Sequence, residues 1–539
     1  MQETVSAIDM SETLVALLAA QAERRGDQVA LTDTSGAALT YAELWHSARK
    51  VAGRLAELGV ERGNRVLVML DNTVDHPVLL AGLAAVGATS VPINTAQKGA
   101  VLAHMVADSA ARVAVIEDRF VEVMTDAAGP DRLDHIVVRG PGVDNRDSSD
   151  QAPGRLHDFS TLLSGEPDTA VEAHPSDIAL LVYTSGTTGL SKAVAMPNLE
   201  LIHAQGGRHF LSDTERPLSA GDVVLVVCPL FHVSGLGSGL VAAWRAGARA
   251  HVAHRFSASG FWREVSEAGA TFTMLVGAMG EILLRNPVTP EDRTHGMRRI
   301  SMVPATRIEE FAERFGVEVC SSYGSTETGA IIVSSDAAGL GRSVMGRARE
   351  GYEIRLVDER DDEVPIGVAG EIVVRSSRPW LISPGYPNDV AATAAAWRNG
   401  WFHTGDSAVK DEAGNFHFAG RIKDAIRRRG ENISAFEVER EATAHPEVVE
   451  CAAFGITSAE SEEEVKIAVV RTASSKLTEQ ELVEFLQDRL AYYAVPRYIA
   501  FVDRLPRTET HKIQKGSLRA LGVDGAWDRV AAGMVVSRD

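Results

Sequence analysis

A hydroxyl-rich, glycine-containing loop that ends at Lys192 is the first candidate for chemistry in this sequence of 539 residues. Its members are Thr184, Ser185, Gly186, Thr187, Thr188 and Gly189. Glycines let backbone N–H groups approach phosphate oxygens, hydroxyls add donors, and Lys192 adds a compact positive charge, so the loop is predicted to bind a polyphosphate. The Walker spacing is absent, because Gly189 is followed by Leu-Ser-Lys. From these residues alone, a solvated surface turn is the alternative.

Composition and charge narrow the class of partner. The formal net charge is −19 and the pI is near 5.4, which disfavours nucleic acids and anionic membranes as principal partners. The three cysteines, Cys228, Cys320 and Cys451, lie far apart without metal-ligand spacing. We expect neither a leader sequence nor a membrane span, and a cytoplasmic protein with small-molecule substrates.

The elements around the loop predict an α/β fold in which layered sheets are covered by helices. An apolar run, Ile178 to Tyr183, precedes the loop as a buried strand, and similar strands alternate with helix-length segments such as 40–58. We predict a large N-terminal domain over 1–420, whose part from about 340 to 420 is a small β-rich subdomain. A hinge at 421–424 then leads to a small mobile α+β C-terminal domain over 425–539.

Six motifs in order along the chain resemble those of the adenylate-forming superfamily of acyl-CoA synthetases, nonribosomal adenylation domains and luciferases. They are "YTSGTTGLSKAV", "PLFHVSG", "YGSTETG", "GWFHTGD", "GRIKDAIRRRGENIS" and "LPRTETHKIQK". Together they span nearly the whole chain, and they remove the surface-turn alternative for the first loop because independent matches multiply. The region "RRISMVPATRIEEFAERFGV" is similar to the carnitine/crotonobetaine-CoA ligase-like branch.

The resemblance implies a site for ATP and Mg²⁺. The first loop, with Lys192, holds the β- and γ-phosphates. Tyr323 stacks on adenine, Thr326 contacts the α-phosphate, and Asp406 and Arg421 bind the ribose. Glu327 holds Mg²⁺, with Thr184 as a second metal contact. The remaining residues that the motif brings to the nucleotide are Gly324 and Ser325.

The resemblance also implies how the two domains share catalysis. Lys512, from the C-terminal domain, stabilises the charge that develops when a carboxylate attacks the α-phosphorus. The domain then turns about Lys423, and the motif "RRRGENIS" faces the active site with Gly430 beside the pantetheine arm. His232 matches the ring at the entry of the second substrate, and the three arginines 427–429 are candidates for the CoA phosphates.

Departures from the family pattern bear on substrate and acceptor. Ser191, Ala193 and Asn198 stand where proline, glycine and histidine are usual. Ser301, Met302, Val303 and Pro304 replace a small-residue turn that lines the acyl pocket, which predicts a small or polar acid, and Arg208 and His209 are candidates for polar recognition. His511 and Arg429 replace glycines of the catalytic and pantetheine-facing turns.

The predicted reaction is therefore ATP-dependent adenylation of a small or polar acid, followed by transfer to CoA. The alternative is a diazotase of secondary metabolism, which adenylates nitrite and delivers it to an amine without CoA. A third hypothesis, a non-catalytic binding protein on the same scaffold, is disfavoured by the presence of Glu327, Asp406, Arg421 and Lys512.

Overall fold

A computed structural model gives the fold. It describes residues 13–141, 155–168, 170–184, 191–205, 217–303, 307–334, 344–421, 425–428, 431–457, 463–506, 513 and 515–536.

The helices of the described chain are mostly short. They are α1 Leu14–Arg25, α2 Tyr41–Glu57, α3 Asp75–Val86, α4 Gly99–Ser109, α5 Val121–Ala128, α6 Ser160–Leu163, α7 Ala242–Ala246, α8 Phe261–Ala268, α9 Gly277–Arg285, α10 Ile308–Phe315, α11 Val390–Ala396, α12 Ala435–Thr443, α13 Glu479–Gln487 and α14 Lys515–Ala520. Two segments are π-helical, Glu200–Gln205 and Ser234–Val241, and two are 3₁₀-helical, Asp118–Phe120 and Pro290–Asp292.

The strands follow in chain order. They are β1 Val29–Asp33, β2 Ala38–Thr40, β3 Arg65–Met69, β4 Thr89–Pro92, β5 Val113–Glu117, β6 His135–Arg139, β7 Arg155–Asp158, β8 Ile178–Thr184, β9 Lys192–Pro197, β10 Val223–Val226, β11 Arg249–Val252, β12 Phe272–Val276, β13 Arg299–Val303, β14 Glu318–Ser325, β15 Gly329–Ser334, β16 Val344–Ala348, β17 Tyr352–Val357, β18 Gly370–Ser376, β19 Trp397–Arg398, β20 Trp401–Lys410, β21 Phe416–Arg421, β22 Ala425–Arg428, β23 Glu431–Ser434, β24 Val448–Thr457, β25 Glu463–Arg471, β26 Tyr498–Phe501 and β27 Trp527–Asp528.

Two sheets build the N-terminal domain. One has the order β7-β6-β5-β3-β4-β8-β9 and is parallel except for β9. The other runs β17-β18-β20-β21-β16-β15-β14-β13-β12-β10-β11-β1-β2, with β19 beside β20. In spatial order, the pairs from β1 across β11, β10, β12 and β13 to β14 are parallel. The pairs from β14 to β17 are antiparallel, so the strands of 344–421 continue the sheet instead of starting a separate one.

A single apolar core joins the facing sides of these two sheets. It contains Val66 and Leu180 from the first sheet, Val224 and Ala250 from the second, and the buried faces of α1, α2 and α3 between them. The burial of this surface is the main stabilising contribution to the domain. The layered α/β architecture predicted from the sequence is confirmed.

Local capping motifs set the starts of two helices. Thr40 accepts the backbone N–H of Glu43, and the Glu43 carboxylate accepts that of Thr40, so a capping box starts α2. Thr478 and Glu481 start α13 in the same way.

The C-terminal domain has a core of its own. The four-stranded sheet β24-β25-β26-β27 and the hairpin β22-β23 pack with α12 and α13 around residues such as Ile433, Val438, Ile467 and Leu482. The small α+β domain predicted after the hinge region is therefore present. No helix in the described part of the chain is long and apolar enough to cross a membrane.

Candidate active site

The predicted phosphate-binding loop connects two paired strands. Thr184 ends β8 and Lys192 begins β9, and the two residues are direct antiparallel partners. The strand predicted before the loop is thus confirmed, and both residues stand at the mouth of one hairpin. The intervening residues Ser185, Gly186, Thr187, Thr188 and Gly189 lie outside the described residues.

Lys192 makes two weak contacts with other described residues at this mouth. Its Nζ lies 3.7 Å from Oδ2 of Asp389 and 5.4 Å from the ring centroid of Tyr386. Both charged side chains are partly exposed, and such ion pairs contribute about 0–1 kcal/mol. A phosphate group can therefore replace Asp389 at little cost.

Glu327 and Tyr386 connect the lysine to the predicted metal position. The Tyr386 hydroxyl donates to Oε1 of Glu327 at 3.0 Å, and the Glu327 carbonyl accepts the backbone N–H of Ser383 at 2.8 Å. Burial, together with the Glu327 charge, raises the pKa of Tyr386, so this phenol remains a donor. The carboxylate of Glu327 is consequently held in one orientation.

These residues fit Mg²⁺ when it arrives with a nucleotide. Among the described residues, no group of three or more acidic, histidine or cysteine side chains is placed to hold a metal. Mg²⁺ is commonly bound through one or two carboxylates plus substrate phosphates and water, and Glu327 supplies one carboxylate. The ion would add positive charge beside the phosphates.

Tyr323 and Asp406 form the predicted nucleoside side of the site. Tyr323 lies in β14 and Asp406 in β20, and the tyrosine hydroxyl donates to Oδ2 of Asp406 at 2.8 Å. The Tyr323 ring is 9% exposed and lies 6.4 Å from the ring of Phe418. One hydrogen bond thus joins the residue assigned to adenine with the residue assigned to ribose.

Gln205 supports the loop that carries Ser325, Thr326 and Glu327. Its Nε2 lies 3.3 Å from the carbonyl of Ser325 and 3.2 Å from that of Thr326. Gln205 ends the first π-helix, and π-helical turns occur often at functional sites. At the start of the loop, a Cβ on Gly324 would overlap the Gly329 carbonyl oxygen, so only glycine allows this close backbone approach.

Arg421 ends β21, the last strand along the chain that belongs to the large sheet. Its backbone pairs with Asp406. The hinge predicted at 421–424 thus begins with a residue that still belongs to a strand. Lys423 lies outside the described residues, and the hinge stays a prediction.

His232 contacts the C-terminal domain. Its Nε2 lies 3.0 Å from Oε2 of Glu431, the first residue of β23. Burial works to lower the pKa of His232, but the Glu431 carboxylate outweighs it and the net effect raises this pKa above its ordinary value. The hairpin β22-β23 therefore faces the residue predicted at the entry of the second substrate.

Two expectations about the surroundings of the site are wrong. Arg428 is 5% exposed and pairs with Glu464 at 2.7 Å inside the C-terminal domain, so it is not available to a CoA phosphate. Met302 is fully buried in the core with Phe311, next to Gly280, because alternate residues of β13 face opposite sides of the sheet. Val303 is half-buried and Pro304 lies outside the described residues, so a short acyl pocket stays a prediction.

Several predicted residues lie outside the described residues, and their assignments stay predictions. They are Arg208, His209, Pro304, Arg429, Gly430, His511 and Lys512.

Sequence reasoning missed three residues of the site. Tyr386, Gln205 and Glu431 each contact a predicted residue, and none has a chemical pattern that marks it. The weak signal was position: Glu431 follows the predicted pantetheine-facing turn, and Tyr386 follows a glycine in a turn-rich stretch.

Comparisons with known proteins agree with this geometry. A family model described as AMP-binding enzyme matches residues 18–386, and one described as AMP-binding enzyme C-terminal domain matches residues 437–512. A probable CoA ligase, CCL9, of Humulus lupulus is 30% identical over 513 residues, which cover 93% of this chain and 95% of the relative. A crotonobetaine/carnitine–CoA ligase of Citrobacter koseri is 32% identical over 491 residues, with coverages of 89% and 93%.

A solved structure is similar over almost the whole chain. The amide bond synthetase McbA from Marinactinospora thermotolerans has a TM-score of 0.81 at 25% identity and covers 94% of this chain and 99% of its own. Fold, site and matches together define an adenylate-forming enzyme. The chain belongs to the AMP-binding enzyme family, as an AMP-forming ligase of the acyl-CoA synthetase type.

Proposed function

We propose that the enzyme activates a small or polar carboxylic acid with ATP and Mg²⁺ and transfers the acyl group to CoA. In the first step a carboxylate oxygen attacks the α-phosphorus, which forms acyl-AMP and releases pyrophosphate. In the second step the CoA sulfur attacks the acyl carbon, its proton is released, and AMP leaves.

The observation that supports the first step is the pair of contacts that join the predicted nucleotide residues. On the nucleoside side, the Tyr323 hydroxyl donates a hydrogen bond to Asp406. On the phosphate side, the Tyr386 hydroxyl donates one to Glu327, and Lys192 lies over the Tyr386 ring. These residues come from separate parts of the chain, yet each side is connected by direct contacts. Such preorganised donors and charges are what stabilise phosphoryl transition states.

The support for CoA as acceptor comes from the C-terminal domain and the relatives. The contact between His232 and Glu431 supports this acceptor, because it joins the hairpin β22-β23 to the residue that the family pattern assigns to the entry of the second substrate. The two curated relatives described above are named as CoA ligases. Lys512 is assigned to the first step, as the family pattern implies.

A second candidate keeps the adenylation and changes the acceptor to an amine. The structural similarity to an amide bond synthetase favours it, since that enzyme's name describes acyl transfer to nitrogen. One form of this candidate is a diazotase that adenylates nitrite. Arg429 and His511, which replace glycines of the family pattern, are compatible with it.

The test is pyrophosphate release across a panel of small carboxylic acids and nitrite, with and without CoA and an aromatic amine, followed by mass spectrometry. We expect release with one class of acid and a thioester that requires CoA. A diazo product from nitrite, formed without CoA, would establish the second candidate. No release with any acid in the presence of MgATP would refute both.

A further inference from the structure

Ser191 makes a contact between the domains that the family pattern does not provide. Its backbone N–H donates to Oε1 of Glu437 at 3.1 Å, and its hydroxyl donates to the same oxygen at 2.7 Å. Ser191 is 5% exposed and Glu437 is 9% exposed, so water has little access to this contact. Hydrogen bonds to a charged acceptor are among the stronger ones, especially when shielded from water.

The large domain holds Ser191 in place for this contact. The Ser191 carbonyl lies 2.9 Å from Nε2 of His104 in α4, and the His104 ring packs edge-on to Tyr183 of β8 at 6.5 Å. The Ser191 carbonyl is thus anchored to α4. Just before β9, Ser191 presents its N–H and its hydroxyl to Glu437.

Glu437 belongs to the element that carries the acceptor-facing hairpin. It lies in α12, which directly follows β23, and β23 begins with Glu431. Burial raises the pKa of Glu437, although the bonds from Ser191 and the charge of Arg440 oppose that rise. A rotation of the C-terminal domain would separate Glu437 from Ser191 and break both hydrogen bonds.

A third contact between the two domains, besides those of Glu437 with Ser191 and of Glu431 with His232, involves Tyr493. The Tyr493 hydroxyl lies 3.1 Å from Nδ2 of Asn94 and 3.0 Å from Nε2 of Gln97. Because Tyr493 and Glu437 are on one domain, their contacts form and break together. The side-chain identity of Ser191 decides whether the Glu437 contact exists, since proline has neither an N–H nor a hydroxyl.

We propose that Ser191 is a positioning residue for the acceptor-transfer step: through Glu437 it holds the C-terminal domain in the orientation in which hairpin β22-β23 faces His232. Ser191 acts on the domain and not on the reacting atoms. Its effect on transfer rests on the proposed function, whereas its effect on domain orientation does not.

Three substitutions of Ser191 change the number of hydrogen-bond donors that it offers to Glu437. Ser191→Thr keeps both donors, Ser191→Ala removes the hydroxyl, and Ser191→Pro removes both. A matched control is Ser164→Ala, at an exposed serine of the large domain whose hydroxyl donates to Thr161 in its own turn.

Domain orientation is measured by energy transfer between two dyes in the full-length enzyme. The three native cysteines are buried, so cysteines introduced at exposed positions by Asp126→Cys and Ser474→Cys label selectively. The rate of adenylation and the rate at which preformed adenylate reacts with the acceptor are then measured separately in single turnovers.

We expect the equilibrium constant for the described orientation to fall about tenfold in Ser191→Ala and about 100-fold in Ser191→Pro, since one and then two bonds to a charged group are lost. The transfer rate should fall relative to the adenylation rate in the same order, and Ser191→Thr and Ser164→Ala should behave as the parent. Unchanged energy transfer in Ser191→Ala, or equal loss of both rates, would overturn the proposal. If no acceptor reacts with the parent enzyme, the proposed function fails, and energy transfer still decides the role of Ser191.

Discussion

Removing one hydroxyl group tests whether Tyr323 and Asp406 hold the nucleoside. In Tyr323→Phe the ring remains, and the 2.8 Å hydrogen bond to the Asp406 carboxylate is lost. A bond to a charged group contributes about 1.5–3 kcal/mol. Because Asp406 is half-buried, water can replace part of this bond, so we take the lower end, about 1.5 kcal/mol, or about tenfold in an equilibrium constant.

The expected result is an increase of about tenfold in the KM for ATP, with the KM for the acid unchanged. The increase arises because the carboxylate that faces the ribose hydroxyls is no longer oriented. Steady-state pyrophosphate release, with ATP and acid varied independently, gives both constants. With 2′-deoxy-ATP the difference between parent and variant should shrink, since one of the two ribose hydroxyls is then missing.

Tyr352→Phe is the matched control for this experiment. Tyr352 is also 9% exposed, lies in the same sheet, and donates through its hydroxyl to the Leu381 carbonyl at 3.3 Å. It should leave the KM for ATP unchanged. The reasoning is refuted if Tyr323→Phe leaves that KM unchanged or lowers it, or if both variants raise it equally.

Three further outcomes are expected. Lys512→Ala should slow pyrophosphate release by roughly 10² to 10³ with ATP binding kept, because a transition-state donor is lost; rapid-quench kinetics and equilibrium ATP titration check this. Glu327→Gln should raise the Mg²⁺ concentration needed for half-maximal rate, as a metal titration at saturating ATP will show. Because Glu431 raises the pKa of His232, their contact is complete below the ordinary histidine pKa and is lost as the pH rises through the raised value. The ratio of transfer to adenylation should therefore fall with rising pH in the parent, and Glu431→Gln should remove that dependence.

Features set by nearby residues were predictable from the sequence. The capped starts of α2 and α13 depend on residues three apart, and the strand that ends at Thr184 follows from one apolar run. The predicted phosphate loop needed more than its own composition, because its glycines and hydroxyl side chains also fit a solvated surface turn, and the other five motifs were required to choose between the two.

Contacts between distant parts of the chain were not predictable. Glu431 meets His232 across 199 positions, and Glu437 meets Ser191 across 246. The error at Met302 has the same origin: its type is readable from the sequence, but which side of β13 faces the core depends on how the strand is packed. Arg428, a candidate for the CoA phosphates in the sequence, pairs instead with Glu464, which lies 36 positions further along the chain.

The pairing of Asp406 with Arg421 bears on which domain would keep the nucleotide if the C-terminal domain turns at the predicted hinge. Both positions belong to the large sheet, and Arg421 is the last residue of β21. A rotation that starts beyond this point would carry the C-terminal domain away, while Asp406, the carboxylate predicted to bind the ribose, would stay in the large sheet. An acyl adenylate bound there would have no step at which it must leave the surface that formed it, so the fold itself would limit its hydrolysis between the two half-reactions.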